Sequence, residues 1–430
     1  MWARSTLLRG FLALVLAICV AGRAVAELMN ALFPDGVPGY GTDDGVTVQT
    51  RLHPEQMPLG VREGAFVFTP QLDQGYGYTS NALPGPYRRG SLQLMTSPTL
   101  SVASDWSRDA FGALVSVQDT RYLSLPSQNR TDATVSAGGR IDIGNDKLTI
   151  AAAHVAAHED RSQLDTIASD GPIAFDLDDV RASYAINDGR WSIVPNVQVT
   201  NWTYDPTTLL GIPASQAYRN RLVTQGGVSI SYEFAPLRSV MLVVRAVNQE
   251  YTRTPAGQPS PDSTSYQVLT GVDYDDNAVW HLRALIGGES RRFSSPLYPQ
   301  QNTLIAEASA AWSPTGLTTV SAMIARDTED AEQEGVSGLI YSSAKLTIDH
   351  EYLRNLLFRA SIGLQRADFF QGGHQIGATA DLGITWVINR NTRLLFTYDQ
   401  TDLRGSTIPI DALVTGYSRG IGLMTLRLGL

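Results

Sequence analysis

The side chains in this chain that could do chemistry are chiefly arginines set among carboxylates. Of the 33 basic residues only Lys147 and Lys345 are lysine, leaving 31 arginines. Arg140, Arg181, Arg245, Arg283, Arg359 and Arg393 recur on one face of successive segments, interleaved with Asp142, Glu307 and Asp381. A guanidinium fork binds carboxylate or phosphate through two parallel hydrogen bonds. Such a face either selects anionic solutes and uronic-acid polymers, or consists of cations neutralised by neighbouring acids that simply keep a cavity polar. Catalytic and metal constellations are weaker. In His154-Val-Ala-Ala-His158-Glu159 the two histidines, if on a strand, share a face but stand ~13 Å apart at ~3.3 Å per residue. One ion held ~2 Å from each nitrogen cannot bridge that span. Asp176-Leu-Asp-Asp179 lacks the glycine and distal glutamate of a calcium loop and reads as a strand entering from a long acidic loop. No serine sits in a G-x-S-x-G elbow. His281, on a polar face with Arg283 and Glu289, reads as lining water. The expectation is a non-enzyme with no catalytic residue, metal site or cofactor.

Composition narrows the class. Across 430 residues, 43% are hydrophobic and only 17% charged, with a mean hydropathy of −0.09, against roughly a quarter charged in soluble domains. A net charge of −9 and a pI near 5.2 argue against a nucleic-acid partner. The one cysteine, Cys19, excludes an intramolecular disulfide framework. Residues 1–26 read as a cleaved export signal: Arg4 and Arg9 precede an apolar run from Phe11 to Val20, and Ala24-Val25-Ala26 supplies a small–x–small cleavage pattern. That run is shorter than the ~20 residues a membrane-spanning helix needs. Ile18 before Cys19 is branched where lipoprotein processing wants a small residue. Removing 1–26 takes away Arg4, Arg9 and Arg23 and no acid, leaving 30 basic against 42 acidic residues, a net of −12.

The elements that must position the arginines are strands. In Asn355–Gln365, Leu356, Phe358, Ala360, Ile362 and Leu364 alternate with Asn355, Arg359, Ser361, Gly363 and Gln365. Successive strand side chains point to opposite faces, so one face is oily and one wet. The same period marks Thr131–Ile143, Trp280–Arg291, Gln375–Trp386 and Arg393–Thr401. Connections alternate in length. Short ones carry tight-turn residues, as in Gly144-Asn-Asp-Lys147, Asn187-Asp-Gly-Arg190 and Ala235-Pro-Leu-Arg238. The intervening ones are longer and rich in Pro, Ser and Gln. About eighteen segments follow this rhythm, from 64–80 through 190–204 and 217–234 to 413–430, an even number within the range of outer-membrane barrels. The segments are longer than the ~5–6 residues of sandwich strands. Aromatics near segment ends, among them Tyr76, Tyr78, Trp106, Tyr122, Trp191, Trp202, Tyr204, Tyr232, Trp280, Trp312, Tyr352 and Trp386, fit two belts at the lipid headgroup zones.

Arg51-Leu-His-Pro-Glu-Gln-Met-Pro-Leu-Gly-Val-Arg-Glu-Gly-Ala-Phe-Val-Phe-Thr-Pro-Gln-Leu, followed by Gly75-Tyr-Gly-Tyr-Thr-Ser-Asn81, resembles the opening of the bacterial putative β-barrel porin 2 family. Pro58, Gly60, Val61, Arg62, Gly64, Phe66, Pro70, Tyr78 and Asn81 carry the likeness. The resemblance implies an outer-membrane barrel of the kind associated with exopolysaccharide secretion, with periplasmic export components and an anionic polysaccharide as partners. The resulting expectation is all-β: an up-and-down transmembrane barrel over 64–430, after a signal peptide (1–26) and a periplasmic segment (27–63). It would sit in outer-membrane lipid of a Gram-negative bacterium, as a monomer or a trimer. The alternatives are a small-solute diffusion porin or a plugged adhesion barrel with loops folded inward. The eight residues expected to line the lumen are Arg140, Arg181, Arg245, Arg283, Glu307, Arg359, Asp381 and Arg393.

Overall fold

The computed structural model describes residues 37–40, 47–406 apart from 52, 86, 160, 277 and 278, and 416–430. The expected export signal lies outside the described residues. Eighteen long strands form the wall: β2 (Phe66–Thr79), β3 (Ser91–Ser104), β4 (Ala110–Tyr122), β5 (Arg130–Ile143), β6 (Asp146–Glu159), β7 (Ile173–Asp188), β8 (Trp191–Tyr204), β11 (Arg221–Ala235), β12 (Arg238–Tyr251), β13 (Ser263–Asp276), β14 (Trp280–Phe293), β15 (Gln301–Thr315), β16 (Thr318–Glu329), β17 (Leu339–Leu353), β18 (Leu356–Phe369), β19 (His374–Asn389), β20 (Thr392–Ser406) and β21 (Gly416–Gly429). A short β1 (Val61–Glu63) precedes them, and a β9–β10 hairpin (Thr207–Leu209, Ile212–Ala214) lies between β8 and β11. Each wall strand pairs antiparallel with its neighbour, and β2 pairs with both β3 and β21, closing the ring. Closure gives every wall strand a paired neighbour on both sides, as a strand crossing lipid requires.

Short turns hold one end. Gly144 and Gly189 adopt φ of 65° and 58°, the left-handed conformation that tight hairpins need. Between β11 and β12 that role falls to Leu237, at φ 61° directly after Pro236. Proline followed by a positive-φ residue is the order of a type II turn, where glycine belongs. Leu237→Gly is therefore expected to raise stability by about 1 kcal/mol, read as a higher midpoint of thermal unfolding in detergent; an unchanged or lower midpoint would contradict the strain.

The β11 strand begins at Arg221, a few residues later than the alternation suggests, because Ala217–Arg219 form a 3₁₀ turn. Within β8, Pro195 lacks an N–H, and the pairing with β7 is interrupted between Ser183↔Asn196 and Ile186↔Ile193. Its other side stays in register with Val228.

Outward positions such as Ile150, Val180, Val197, Leu304, Ile362 and Leu382 are exposed apolar side chains, the band a hydrocarbon core wants. Aromatic pairs Phe66–Trp106, Trp191–Tyr232, Trp280–Trp312 and Tyr352–Phe358 gather at the short-turn end. Tyr122, Trp202 and Tyr204 depart from the belt expectation: they are 3–5% exposed and point inward. Trp202 and Tyr204 share the parity of buried Thr200, and strand parity, not nearness to an end, decides which way a ring faces.

The apolar clusters lie on the inner face. Val243, Leu269, Leu285 and Ile305 form one across β12–β15. Its strands approach too closely for a side chain at two glycines: a Cβ on Gly271 would come 1.8 Å from the Ala284 carbonyl oxygen and one on Gly287 would come 1.9 Å from that of Val268. Other clusters join wall strands to the N-terminal segment and the long loops.

Candidate functional site

Two constructions occupy the ring. The first is a strap made by the N-terminal segment. The Tyr40 hydroxyl donates to Asp179 Oδ1 at 2.9 Å, and Arg181 Nε reaches the same oxygen at 2.8 Å. Thr200 Oγ1 donates to Asp179 Oδ2 at 2.9 Å, joined by Gln198 Nε2. Asp179 is fully buried, and a buried carboxylate persists only when its lone pairs are satisfied in this way. The Arg181 guanidinium also lies 4.3 Å above the Tyr40 ring centre. Burial beside Asp179 holds the Tyr40 hydroxyl well above its usual range, so it stays a donor. The backbone reaches the wall closely here: a Cβ on Gly138 would sit 1.9 Å from the Pro38 carbonyl oxygen.

Further along, Val48 N–H donates to Thr319 Oγ1 at 3.2 Å and the side chain packs on Leu357 and Val387. Arg51 donates to the Gly316 carbonyl at 2.6 Å, and Arg393 Nη2 to that of Gln56 at 3.1 Å. Residues 37–40 thus lie against β5–β7, and residues 47–51 and 53–56 against β15–β20, on opposite sides of the ring. It ends as β1, paired to the foot of β2 (Val61↔Phe68), with Gly60 N–H on the Leu430 carbonyl at 3.0 Å.

The second construction lies at the long-loop mouth. Arg219, on the turn before β11, grips Glu159 through Nη2, 2.9 and 2.8 Å from its two oxygens, and lies 3.4 Å from Glu332. Its guanidinium stacks 3.9 Å over Tyr204. Arg221, 5.1 Å over Trp202, is 3.0 Å from Asp330; Arg291 reaches Asp330 at 2.9 Å and Glu289 at 3.3 Å. Asp330 and Glu332 belong to the β16–β17 loop, which is pinned to the β6–β7 loop. Asp165 accepts from Glu332 N–H at 2.6 Å and Gln333 Nε2 at 3.0 Å, while its own N–H donates to Gln375 on β19 at 2.7 Å. The network surrounds a small cavity of about 40 Å³.

Burial raises Asp165 to about 7, with Glu159 nearby adding to the shift, and burial raises Glu332 in the same direction. A carboxyl whose docked pKa exceeds its free value near 4 binds a proton preferentially when docked, so docking weakens as pH rises between those values and levels off above about 7. Hydrogen exchange at residues 163–169, corrected for intrinsic rate, is expected to show stronger protection at pH 5 than at pH 8. Asp165→Asn should flatten that difference. Equal protection at both pH values in the parent chain would refute it.

The eight residues expected to line the lumen are placed as follows. Arg245 and Glu307 meet at 3.1 Å although β13 and β14 lie between their strands, a contact made above the inner surface. Arg140 pairs with Asp142 at 3.0 Å, Arg181 with Asp179, and Arg359 with Asp349 at 2.7 and 2.9 Å. Asp381 lies 3.5 Å from Lys345, Arg393 holds the strap, and Arg283 stands opposite Asp273 in the register. Only Arg245 and Glu307 come together; the others are spread along the wall. Sequence reasoning missed Tyr40, Asp179, Arg219, Arg221, Asp330 and Glu332. Asp179 had a usable signal, since it shares a face with Arg181 two residues on. The loop residues had none, because irregular backbone carries no period. His154 and His158 go to different carboxylates, Asp178 at 2.7 Å and Asp132 at 2.8 Å.

The family model described as Putative beta-barrel porin 2 matches residues 53–412. No curated protein matches the sequence. Among solved structures, the chain is similar to the outer membrane protein opdK of Pseudomonas aeruginosa (13% identity, 84% of this chain and 98% of that one, TM-score 0.45). It is also similar to OccAB3 of Acinetobacter baumannii (8%, 86% and 100%, 0.46) and to the FrpB iron transporter of Neisseria meningitidis (8%, 86% and 82%, 0.47).

Proposed function

This chain belongs to the putative beta-barrel porin 2 family of outer-membrane barrels, and from that premise we propose that it is a gated pore for small charged solutes. The observation that carries the reading is the strap and the inward loops together: an eighteen-stranded ring has room for an aqueous channel, and here both ends are narrowed by the chain's own segments. The inner wall that remains is lined by paired charges of both signs, Arg245–Glu307, Lys345–Asp381 and Arg359–Asp349. Water-facing side chains of that kind tune selectivity. Single-channel recording in planar bilayers tests the proposal. The parent chain is expected to give small, infrequent steps, and a chain lacking residues 37–50 larger ones. Silence from both, with each still running as a folded, heat-modifiable barrel, would overturn the pore and leave the plugged adhesion barrel.

A second reading is secretion of an extracellular polysaccharide alongside periplasmic export components. The strap favours it, because Arg51 and Gln56 are held at the short-turn end and offer such a component something to displace. Deleting the chain in its own cell should then abolish surface polysaccharide while leaving small-solute uptake unchanged. Intact polysaccharide would exclude that role.

A further inference from the structure

We propose that Arg219, Arg221 and Arg291 form a binding station for solute carboxylates at the long-loop mouth, and that Asp330 and Glu332 occupy it as built-in competitors which an incoming carboxylate displaces. The inference rests on the pore reading and names the solute class of that pore. Three guanidiniums from three elements converge here, with side chains only 4%, 10% and 4% exposed. Two are backed by aromatic rings, Tyr204 at 3.9 Å and Trp202 at 5.1 Å, which orient a planar fork and leave its edge for a ligand.

The acids around them fall into two groups. Glu159 and Glu289 stand on wall strands; Asp330 and Glu332 stand on the β16–β17 loop. With the loop docked, four carboxylates are ion-paired with the three guanidiniums, and Asp165 and Glu329 line the same space. With it displaced, Arg219 keeps Glu159, Arg291 keeps Glu289, and Arg221 loses the ion pair it makes with Asp330. The Arg221 fork is then the place an added carboxylate takes.

The docked loop also fills the site imperfectly. Arg219 Nη1 is buried without a hydrogen-bond partner, and Arg221 Nε, although 3.0 Å from Asp330 Oδ2, makes no directed bond to it. A free carboxylate can align bidentately with such a fork, which a side chain tethered to a short loop does not manage here. Since a ligand shifts an equilibrium only through its differential affinity for the two states, the competing carboxylates make loop opening depend on solute.

The test is binding to the full chain in detergent, followed by the fluorescence of Trp202 and by protease cleavage within residues 330–338. The probe is galacturonate, with neutral galactose as the contrast and Trp202→Phe to assign the signal. Galacturonate is expected to give a saturable change and to increase cleavage, and galactose neither. Asp330→Asn with Glu332→Gln should tighten galacturonate binding by about tenfold or more, because the internal competitor is weakened. Arg221→Gln should abolish it. Heat-modifiable migration confirms folding of each variant. An equal response to galactose, or no saturable response from either the parent or the Asp330→Asn/Glu332→Gln chain, overturns the station. Binding is read without conduction, so a silent channel that still binds galacturonate would refute the pore and leave the station standing.

Discussion

Asp179→Ala is expected to free the strap and give several-fold larger conductance steps. The carboxylate is the shared acceptor of Tyr40, Arg181, Gln198 and Thr200. Removing it leaves four donors around an empty centre, one of them a guanidinium. Breaking a buried pair by deleting one partner costs about 3–5 kcal/mol, and Arg181, which is partly water-exposed, puts this case at the lower end. The wall keeps its backbone pairing, so the loss falls on the weaker attachment, the strap. Tyr40→Phe removes one donor and leaves the carboxylate its other three, so a cost of about 1 kcal/mol is expected, with conductance little changed. Unchanged steps in Asp179→Ala, from a barrel that still resists denaturation at room temperature, would show that the strap does not obstruct flow.

Gly287→Val is expected to prevent assembly. A Cβ there would lie 1.9 Å from the Val268 carbonyl oxygen and 2.6 Å from the Leu269 Cα, contacts with backbone that cannot rotate away. Gly287 stands opposite Leu269 in the register, beside the cluster of Leu269, Leu285 and Ile305, so shifting the strand to admit a side chain would also open that cluster. Overpacking a well-filled interior typically costs about 1–3 kcal/mol, and a clash with rigid backbone exceeds that range. The neighbouring glycine is the control. A Cβ on Gly288 meets nothing nearer than the Thr303 carbonyl oxygen at 3.8 Å, so Gly288→Val should assemble normally. Recovery of heat-modifiable barrel after refolding reads both; equal yields from the two variants would dismiss the close backbone approach as a constraint.

The wall was legible because its signals are local. Alternation in Asn355–Gln365 needs only the two-residue period of a strand, and the observed β18 runs from Leu356 to Phe369 with Leu357, Arg359 and Ser361 on one face. Turn residues such as Asn187-Asp-Gly-Arg190 name their hairpin without reference to the rest of the chain. Parity likewise put Arg245 and Glu307 on one face, though not in contact, because two strands separate them.

The contents of the ring were hidden for the opposite reason. Tyr40 and Asp179 are 139 positions apart, and Asp165 and Gln375 are 210 apart. Nothing in the spacing of either pair anticipates the other. Trp202 and Tyr204 looked like belt residues because their nearness to a strand end is visible in one dimension, whereas the loop that buries them is not. By itself, then, the sequence determined an antiparallel barrel with one short-turn end and one long-loop end, since strand period and turn chemistry are properties of neighbouring residues. Only the tertiary structure decided that the strap and loops fold inward, with Tyr40 of the strap on a wall carboxylate and the loop carboxylates on arginines at the wall. Those contacts exist only once the ring has closed and set distant residues face to face.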